Sequence, residues 1–275
     1  LQSGQGCEAF FTNVKGHILA HVLITCRENS LVLTRSAPQV DDLRSHLDRY
    51  IIREDVQLHD RSGEIRYVAI FGEDAEEKLA PRTTPSKLQR ASLWHSCVAL
   101  GGADCQLIRF PTDLPIWLLE YPQSAEQQVI DQLVACGMDR FSHEAWEALR
   151  IEAGLPLDRV DITEQNLPQE IARDARAINF KKGCYLGQET VARIDALGHV
   201  NQKLVGVKFS GNQVPLPNTP LLAEGKQVGR VTSACHSQRE GAPLALAYVR
   251  RGFDVAGKRL ESEFGEAEIN SEGGH

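Results

Sequence analysis

From residue 203 to the end of the chain, short strand-like runs at 204–209, 227–232, 244–249 and 258–261 alternate with Gly and Pro turns. At this spacing a small β-barrel is expected. The remaining 202 residues read differently, mixing helix-period and strand-period stretches. With 42% hydrophobic and 24% charged residues over 275 positions, the chain can bury two or three separate cores.

Near the start, β-favouring runs at 9–11 and 18–25 flank Asn13-Val14-Lys15-Gly16, which predicts a hairpin. A strand at 31–34 follows. Ser36 and Gln39 read as a capping box for a helix that places Val40, Leu43, Leu47 and Tyr50 on one face. Strands are expected at 56–59 and 67–71. Residues 81–86 lose charge and gain Pro and Thr, the composition of a crossing between subdomains. Beyond it come strands at 98–100, 106–110 and 116–120, then a helix capped by Ser124 with Gln127 and stopped by Gly137. Ser142 opens a further helix through Leu149, and a last one lies between Gly187 and Gly198. The expected partition is an α+β domain from 1–80 and 139–200, an inserted α+β subdomain at 81–138, and the barrel at 201–275.

A formal charge of −7 argues against a broad nucleic-acid surface, since neutralising phosphate requires a basic face. No apolar run is long enough to cross a bilayer, and the first residues lack the basic start and apolar stretch of a signal peptide, so a cytoplasmic location is expected. The seven cysteines are odd in number and scattered, without a C-x-x-C pair; mostly buried, reduced thiols and no zinc site are expected.

The sharpest chemical signal is Lys182-Gly183-Cys184-Tyr185-Leu186-Gly187-Gln188-Glu189, a cysteine framed by glycines ahead of a helix. Read physically, a cysteine at a helix N-terminus beside Lys181 and Lys182 sits where positive potential favours the thiolate. The plainer alternative is a small packed residue in a tight turn. Lys182 and Gln188 can present donors to an anionic or amide-bearing ligand, or simply face water. Glu189 is also a favourable acid for a first helical turn. His199 and His236 have no paired carboxylate or cysteine at metal spacing and receive no role.

This octet resembles the K-G-C-Y-x-G-Q-E signature of the YgfZ family, a folate-binding branch of the glycine-cleavage T-protein superfamily. The likeness extends over nearly the whole chain, through Asn13-Val14-Lys15-Gly16, Arg150-Ile151-Glu152-Ala153-Gly154-Leu155-Pro156, Asn166-Leu167-Pro168-Gln169-Glu170 and Gly229-Arg230-Val231-Thr232-Ser233. It implies a T-protein-like multidomain ring, with ferredoxin-like α+β subdomains and a C-terminal small antiparallel β-barrel, holding tetrahydrofolate or a derivative in a central channel. It also implies a start cut short by the family's first strand and helix. The implied role is support of iron–sulfur enzymes or their assembly machinery, and through one of them tRNA modification, without direct nucleic-acid or membrane contact.

In the related T-protein the glutamate of the R-L-E-A-G motif contacts the pterin, and the resemblance carries that role to Glu152. A carboxylate suits the task, since it can accept the pterin N–H and exocyclic amine together. The bland alternative is a surface ion pair with Arg150. Arg150, Lys182, Tyr185, Gln188, Glu189 and Arg193 complete the expected folate contacts, with Cys184 as candidate functional thiol, and Lys181, Lys182, Arg193 and Arg230 form a rim for the folate tail. Two other functions compete. An aminomethyltransferase of glycine cleavage would keep an aspartate shortly after the equivalent of Gly16, and residues 16–22 contain no carboxylate. A non-catalytic iron–sulfur interaction protein would have no need of Glu152.

Overall fold

A computed structural model describes residues 1–37, 40–72, 74–79, 83–84 and 93–270. The chain forms two compact units, Leu1–Glu8 with Val22–Arg140 and Ala9–His21 with Phe141–His275. β1 (Gly6–Thr12), β2 (Ile18–Cys26) and β3 (Leu31–Thr34) make a three-stranded sheet in that order. In sequence, the division between the units falls within β1 and within β2.

The first unit continues with α1 (Asp41–Asp48), β4 (Ile65–Phe71), α2 (Ala75–Leu79), β5 (Thr83–Thr84), β6 (His95–Leu100), β7 (Ala103–Arg109), β8 (Ile116–Pro122) and α3 (Glu126–Ala135). Its antiparallel sheet runs β4-β8-β7-β6-β5. Period-two alternation on β8 sends Trp117, Leu119 and Tyr121 into a core with Val129 and Leu133 of α3. The opposite face of β8 carries Glu120, which accepts from Arg27 Nη2 and Tyr67 Oη, each at 3.0 Å.

Three local expectations fail here. Residues 56–59 form no strand, because Val56 is exposed and has no apolar face to bury, and the chain just before it is tied up by Glu54 Oε2, which accepts from the N–H groups of Ile52 and Arg53. Ser124 does not cap α3; a 3-10 turn at Gln123–Ala125 leads into the helix and the Gln127 side chain bonds Asp131 instead. The thiols are not mostly buried either, since only Cys105 and Cys235 are, while Cys97 and Cys184 are exposed. The capping box involving Gln39 lies outside the described residues. Most of the 81–86 crossing does too, although Thr83 and Thr84 pair with Val98 and Cys97.

The second unit holds α4 (His143–Glu152), a 3-10 helix at Pro168–Ile171, α5 (Asp174–Ala177), α6 (Gln188–Leu197), then β9 (Gln202–Phe209), β10 (Pro220–Ala223), β11 (Lys226–Ser237), β12 (Ala242–Arg250), β13 (Arg259–Leu260) and β14 (Ala267–Asn270). Ser142 caps α4 by accepting from Ala145 N–H at 3.3 Å. The barrel strands order as β10-β11-β12-β9-β14-β13, and two 2.8 Å hydrogen bonds between Leu222 and Glu261 bring the end strands together. The six-stranded antiparallel barrel is thus nearly closed, as the turn spacing predicts. Val207, Phe209, Val231 and Ala247 fill it. Its outer face is covered as well: Leu204, Leu244, Leu246 and Tyr248 pack with Ile151 of α4 and with Ile162 and Ile171. Burial on both faces explains why β12 reads as an almost unbroken apolar run. Among the described residues, no helix is long and apolar enough to cross a membrane.

Candidate functional site

The residues singled out from the sequence gather in two places within the second unit. One is the octet. Gly187 stands directly before α6 in the left-handed region, at φ 79°. A Cβ there would lie 2.6 Å from Gly16 Cα and 2.7 Å from Asn13 O, so sterics as well as backbone conformation demand glycine. The demand is mutual. A Cβ on Gly16, at φ 82°, would meet Thr190 Cβ at 2.8 Å. Thr12 Oγ1 donates to Leu186 O at 2.5 Å, and Asn13 Oδ1 preforms the turn by accepting from Lys15 and His17 N–H at 2.9 and 3.1 Å. The hairpin turn and the octet are therefore locked backbone to backbone.

That lock moves Cys184 away from the position expected of it. The helix starts at Gln188, and the Leu186–Gly187 turn intervenes, so the helix amides do not surround the sulfur. Gly183 is not required by sterics, since a Cβ there meets nothing within 4 Å. What remains is an exposed Cys184 with Lys182 nearby, whose Nζ lies 4.5 Å from the Tyr185 ring centroid. Tyr185 is half-buried, and burial, aided by Asp195, pushes its hydroxyl pKa up. Gln188 closes the turn by accepting from Tyr185 N–H through Oε1 at 3.4 Å. Glu189 and Arg193 are exposed on α6, one turn apart.

The other place is the seam between α4 and β11. Arg150 is 1% exposed, and each of its three nitrogens is engaged inside the protein. Nε and Nη2 bond Glu147 at 2.8 and 2.5 Å; Nη1 reaches Asp161 Oδ2 at 3.1 Å, and Leu155 O and Ser233 Oγ at 3.3 Å. Arg150, expected to contact a cofactor or pair with Glu152, instead anchors α4. Asp161, fully buried, also accepts from Thr232 Oγ1 at 2.5 Å and Ser233 Oγ at 2.7 Å. Consecutive strand residues normally face opposite ways. Here the β11–β12 register shifts between Val231 and Ser233, and the resulting bulge turns both hydroxyls toward one carboxylate.

Glu152, the last residue of α4, is half-buried, and its Oε1 accepts from Ser237 Oγ at 2.5 Å. Beside it the Cys235 thiol is raised to about 11, by burial first and then by the Glu152 charge. Arg230 stacks on the Tyr248 ring at 5.3 Å, and Tyr248 Oη donates to Asp161 O at 2.9 Å. Lys181 lies exposed just before the octet, its N–H bonded to Asn179 Oδ1.

The structure thus brings Lys182, Tyr185 and Gln188 into one turn, and Arg150 with Glu152 onto one seam. Among the described residues, no hydrogen bond or ion pair joins the two groups. Asn166-Leu167-Pro168-Gln169-Glu170 acts as a hub: Asn166 O accepts from Ile18 N–H at 2.9 Å, Gln169 Nε2 donates to Val191 O at 2.8 Å, and Glu170 accepts from Asn166 Nδ2 at 3.1 Å. Sequence reasoning missed Thr12, Asp161 and Ser237. A signal existed for the seam, because adjacent Thr232 and Ser233 break an otherwise alternating strand.

Residues 202–272 match the family model described as the glycine cleavage T-protein C-terminal barrel domain. A putative chloroplast transferase of Arabidopsis thaliana is 25% identical over 91% of this chain, which spans 58% of that protein. An aminomethyltransferase of Symbiobacterium thermophilum is 31% identical over 75% of the chain and 57% of its own length. The tRNA-modifying protein YgfZ of Yersinia pestis is 27% identical over 81% of the chain and 66% of its own length. The chain is thus similar to members of the glycine-cleavage T-protein superfamily along most of its length, and its residues 202–272 match that superfamily's barrel domain. It spans less than two thirds of these three relatives. The crystal structure of the glycine cleavage system aminomethyltransferase T from Bartonella henselae shares the fold, with a TM-score of 0.77 at 18% identity over 99% of this chain and 76% of that one. The T-protein fold expected from the octet and its companion motifs is therefore present, barrel included.

Proposed function

We propose that this chain binds tetrahydrofolate or a derivative and, through Cys184, supports iron–sulfur enzymes or their assembly. The observation carrying the proposal is the octet: its glycine and turn residues are locked against the Asn13–Gly16 turn while Cys184 is left exposed. A loop whose only task was to pack would have no reason to present the sulfur.

The seam fits the folate half of the reading. Glu152 is held at one oxygen by Ser237 yet stays partly accessible, which leaves acceptor capacity for a pterin N–H and exocyclic amine side by side. Lys182 and Arg193, both exposed, suit the carboxylates of the folate tail. Arg150 serves as a positioning residue for α4 in this reading. When bound, the folate supplies one-carbon chemistry; the chain's own residues orient it.

The rival reading is aminomethyl transfer, favoured by the 31% identity to an aminomethyltransferase. Residues 16–22 provide no carboxylate near the folate nitrogen, where that reaction needs one. Isothermal calorimetry with tetrahydrofolate, on wild type and Glu152→Ala of the full-length protein, tests the folate half. The variant should bind more weakly by about 1–3 kcal/mol. Equal affinities would remove Glu152 from the site. An assay with aminomethylated lipoyl carrier should give no methylene-folate, and turnover would favour the rival.

A further inference from the structure

Glu152 ends a helix, where backbone order is lowest, and a glutamate has three rotatable bonds that a binding site must freeze. Something has to aim it. We infer that Ser237 is the positioning residue that aims the Glu152 carboxylate at an N–H/NH2 edge of the ligand; this rests on the folate reading above.

Ser237 is 0% exposed, so water does not compete for its hydroxyl. A serine hydroxyl has one proton and two lone pairs. Glu240 N–H donates to Ser237 Oγ at 3.0 Å, and with an acceptor site so occupied the single proton points at Glu152 Oε1, 2.5 Å away. The turn supplying that N–H is itself tethered, by Lys208 Nζ to Glu240 Oε2 at 2.9 Å. The relay therefore runs from a turn backbone through a buried hydroxyl to one carboxylate oxygen. A carboxylate accepts at about four lone-pair sites. Ser237 occupies one of them, so both oxygens can still accept from a planar pair of ligand N–H groups.

Strand alternation separates this task from its neighbour's. Ser233 and Ser237 lie an even number of residues apart, beyond the bulge, and face the same side of β11. Ser233 serves the Arg150–Asp161 anchor, whereas Ser237 touches the carboxylate that is partly open. One hydroxyl fixes the helix and the other fixes its last side chain.

A double-mutant cycle in the full-length protein tests this, with tetrahydrofolate affinity read by calorimetry and folding checked by thermal melts. Ser237→Ala should weaken tetrahydrofolate roughly tenfold, the scale of one lost hydrogen bond to a charged group. In a Glu152→Ala background the same substitution should change nothing further. A 2-desamino folate analogue, lacking one of the paired donors, should lose less affinity on Ser237→Ala than tetrahydrofolate does. If Ser237→Ala does not fold, the near-isosteric Ser237→Cys, a weaker donor, should show a several-fold loss with the same cycle. Equal losses in both backgrounds would make Ser237 merely structural and overturn the inference. So would an unchanged affinity in Ser237→Ala where Glu152→Ala does weaken binding, and the folate reading would then survive. A wild type that takes up no tetrahydrofolate would sink both.

Discussion

In the seam between α4 and β11, the charged side chains of Arg150 and Asp161 are buried and joined, and a bulge in β11 brings two hydroxyls to them. In the octet the reverse holds. There the backbone is locked at Gly187 and Gly16, while Lys182, Cys184 and Glu189 stand exposed. Both stretches carry the family resemblance drawn from the sequence, so a motif by itself does not say which of its residues do chemistry. Burial and partner accounting do: in the seam Arg150 and Asp161 are consumed in holding a helix to a barrel while Glu152 stays partly open, and in the octet Lys182, Cys184 and Glu189 stay outward.

The largest expected effect lies in the seam. Asp161→Ala leaves the Arg150 guanidinium buried with Glu147 as its one remaining carboxylate, and takes from the Ser233 hydroxyl its carboxylate acceptor, while Thr232 Oγ1 keeps Leu246 O at 3.1 Å. Removing one partner of a buried pair costs about 3–5 kcal/mol. Urea denaturation should show a loss of that size, with α4 the element that comes loose. A loss under about 1 kcal/mol would mean that the apolar contacts of Ile151 hold the helix without the charges.

In the octet the next effect is a contrast between two glycines. Gly187→Ala combines a left-handed backbone with a Cβ 2.6 Å from Gly16 Cα, and should cost about 2–3 kcal/mol. Gly183→Ala meets nothing within 4 Å and should stay within about 0.5 kcal/mol of wild type. Thermal melts of the two proteins side by side decide it. Equal losses would show that the octet is not held by its contact with the hairpin turn.

What the sequence disclosed follows the same division. The barrel was legible because its turn spacing is local, and the hairpin because Asn13 and Gly16 carry their own turn chemistry. Gly187 was legible as a turn glycine, yet its contact with Gly16 was not, since the two are brought together only by the fold. Arg150 was misjudged for a related reason. Its partner Asp161 sits in a loop without periodicity, and the hydroxyls facing it come from a bulge that a period-two reading passes over. The 56–59 run looked like a strand by composition and failed for lack of a covered face.

Asp174 offers a smaller test of the same accounting, because its carboxylate is partly buried with one oxygen left without a hydrogen-bond partner. Its Oδ1 has no hydrogen-bond partner among the described residues. Burial raises its pKa, with Asp195 adding to the effect and Lys203 opposing it. For an acid so shifted, the unfolded chain ionises first. Stability is therefore lost as pH climbs from the unfolded value, about 3.9, to the folded one, and the cost persists above both. Asp174→Asn should match wild type near pH 3 and exceed it at pH 7, by less than about 1 kcal/mol. Urea midpoints at the two pH values check this, and a variant less stable at pH 7 would mean that the charge has a partner after all.

Cys184→Ser is expected to change stability least and function most. The side chain is exposed, so exchanging sulfur for oxygen should shift the denaturation midpoint by no more than about 0.5 kcal/mol of stability. Folate affinity should be nearly unchanged as well, since the Gly187–Gly16 lock and the Ser237–Glu152 bond do not involve the thiol. A serine hydroxyl, however, neither exchanges with disulfides nor ligates soft metals as a cysteine does. Complementation of a strain lacking its own copy, scored by tRNA methylthiolation, should therefore fail. Cys97 provides the internal control, being exposed as well but with its Sγ accepting from Gln106 Nε2 at 2.9 Å. Iodoacetamide at neutral pH should modify Cys184 faster than Cys97. Full complementation by Cys184→Ser, or equal alkylation of the two thiols, would make the octet a motif kept for its backbone, with its exposed side chains carrying no chemistry.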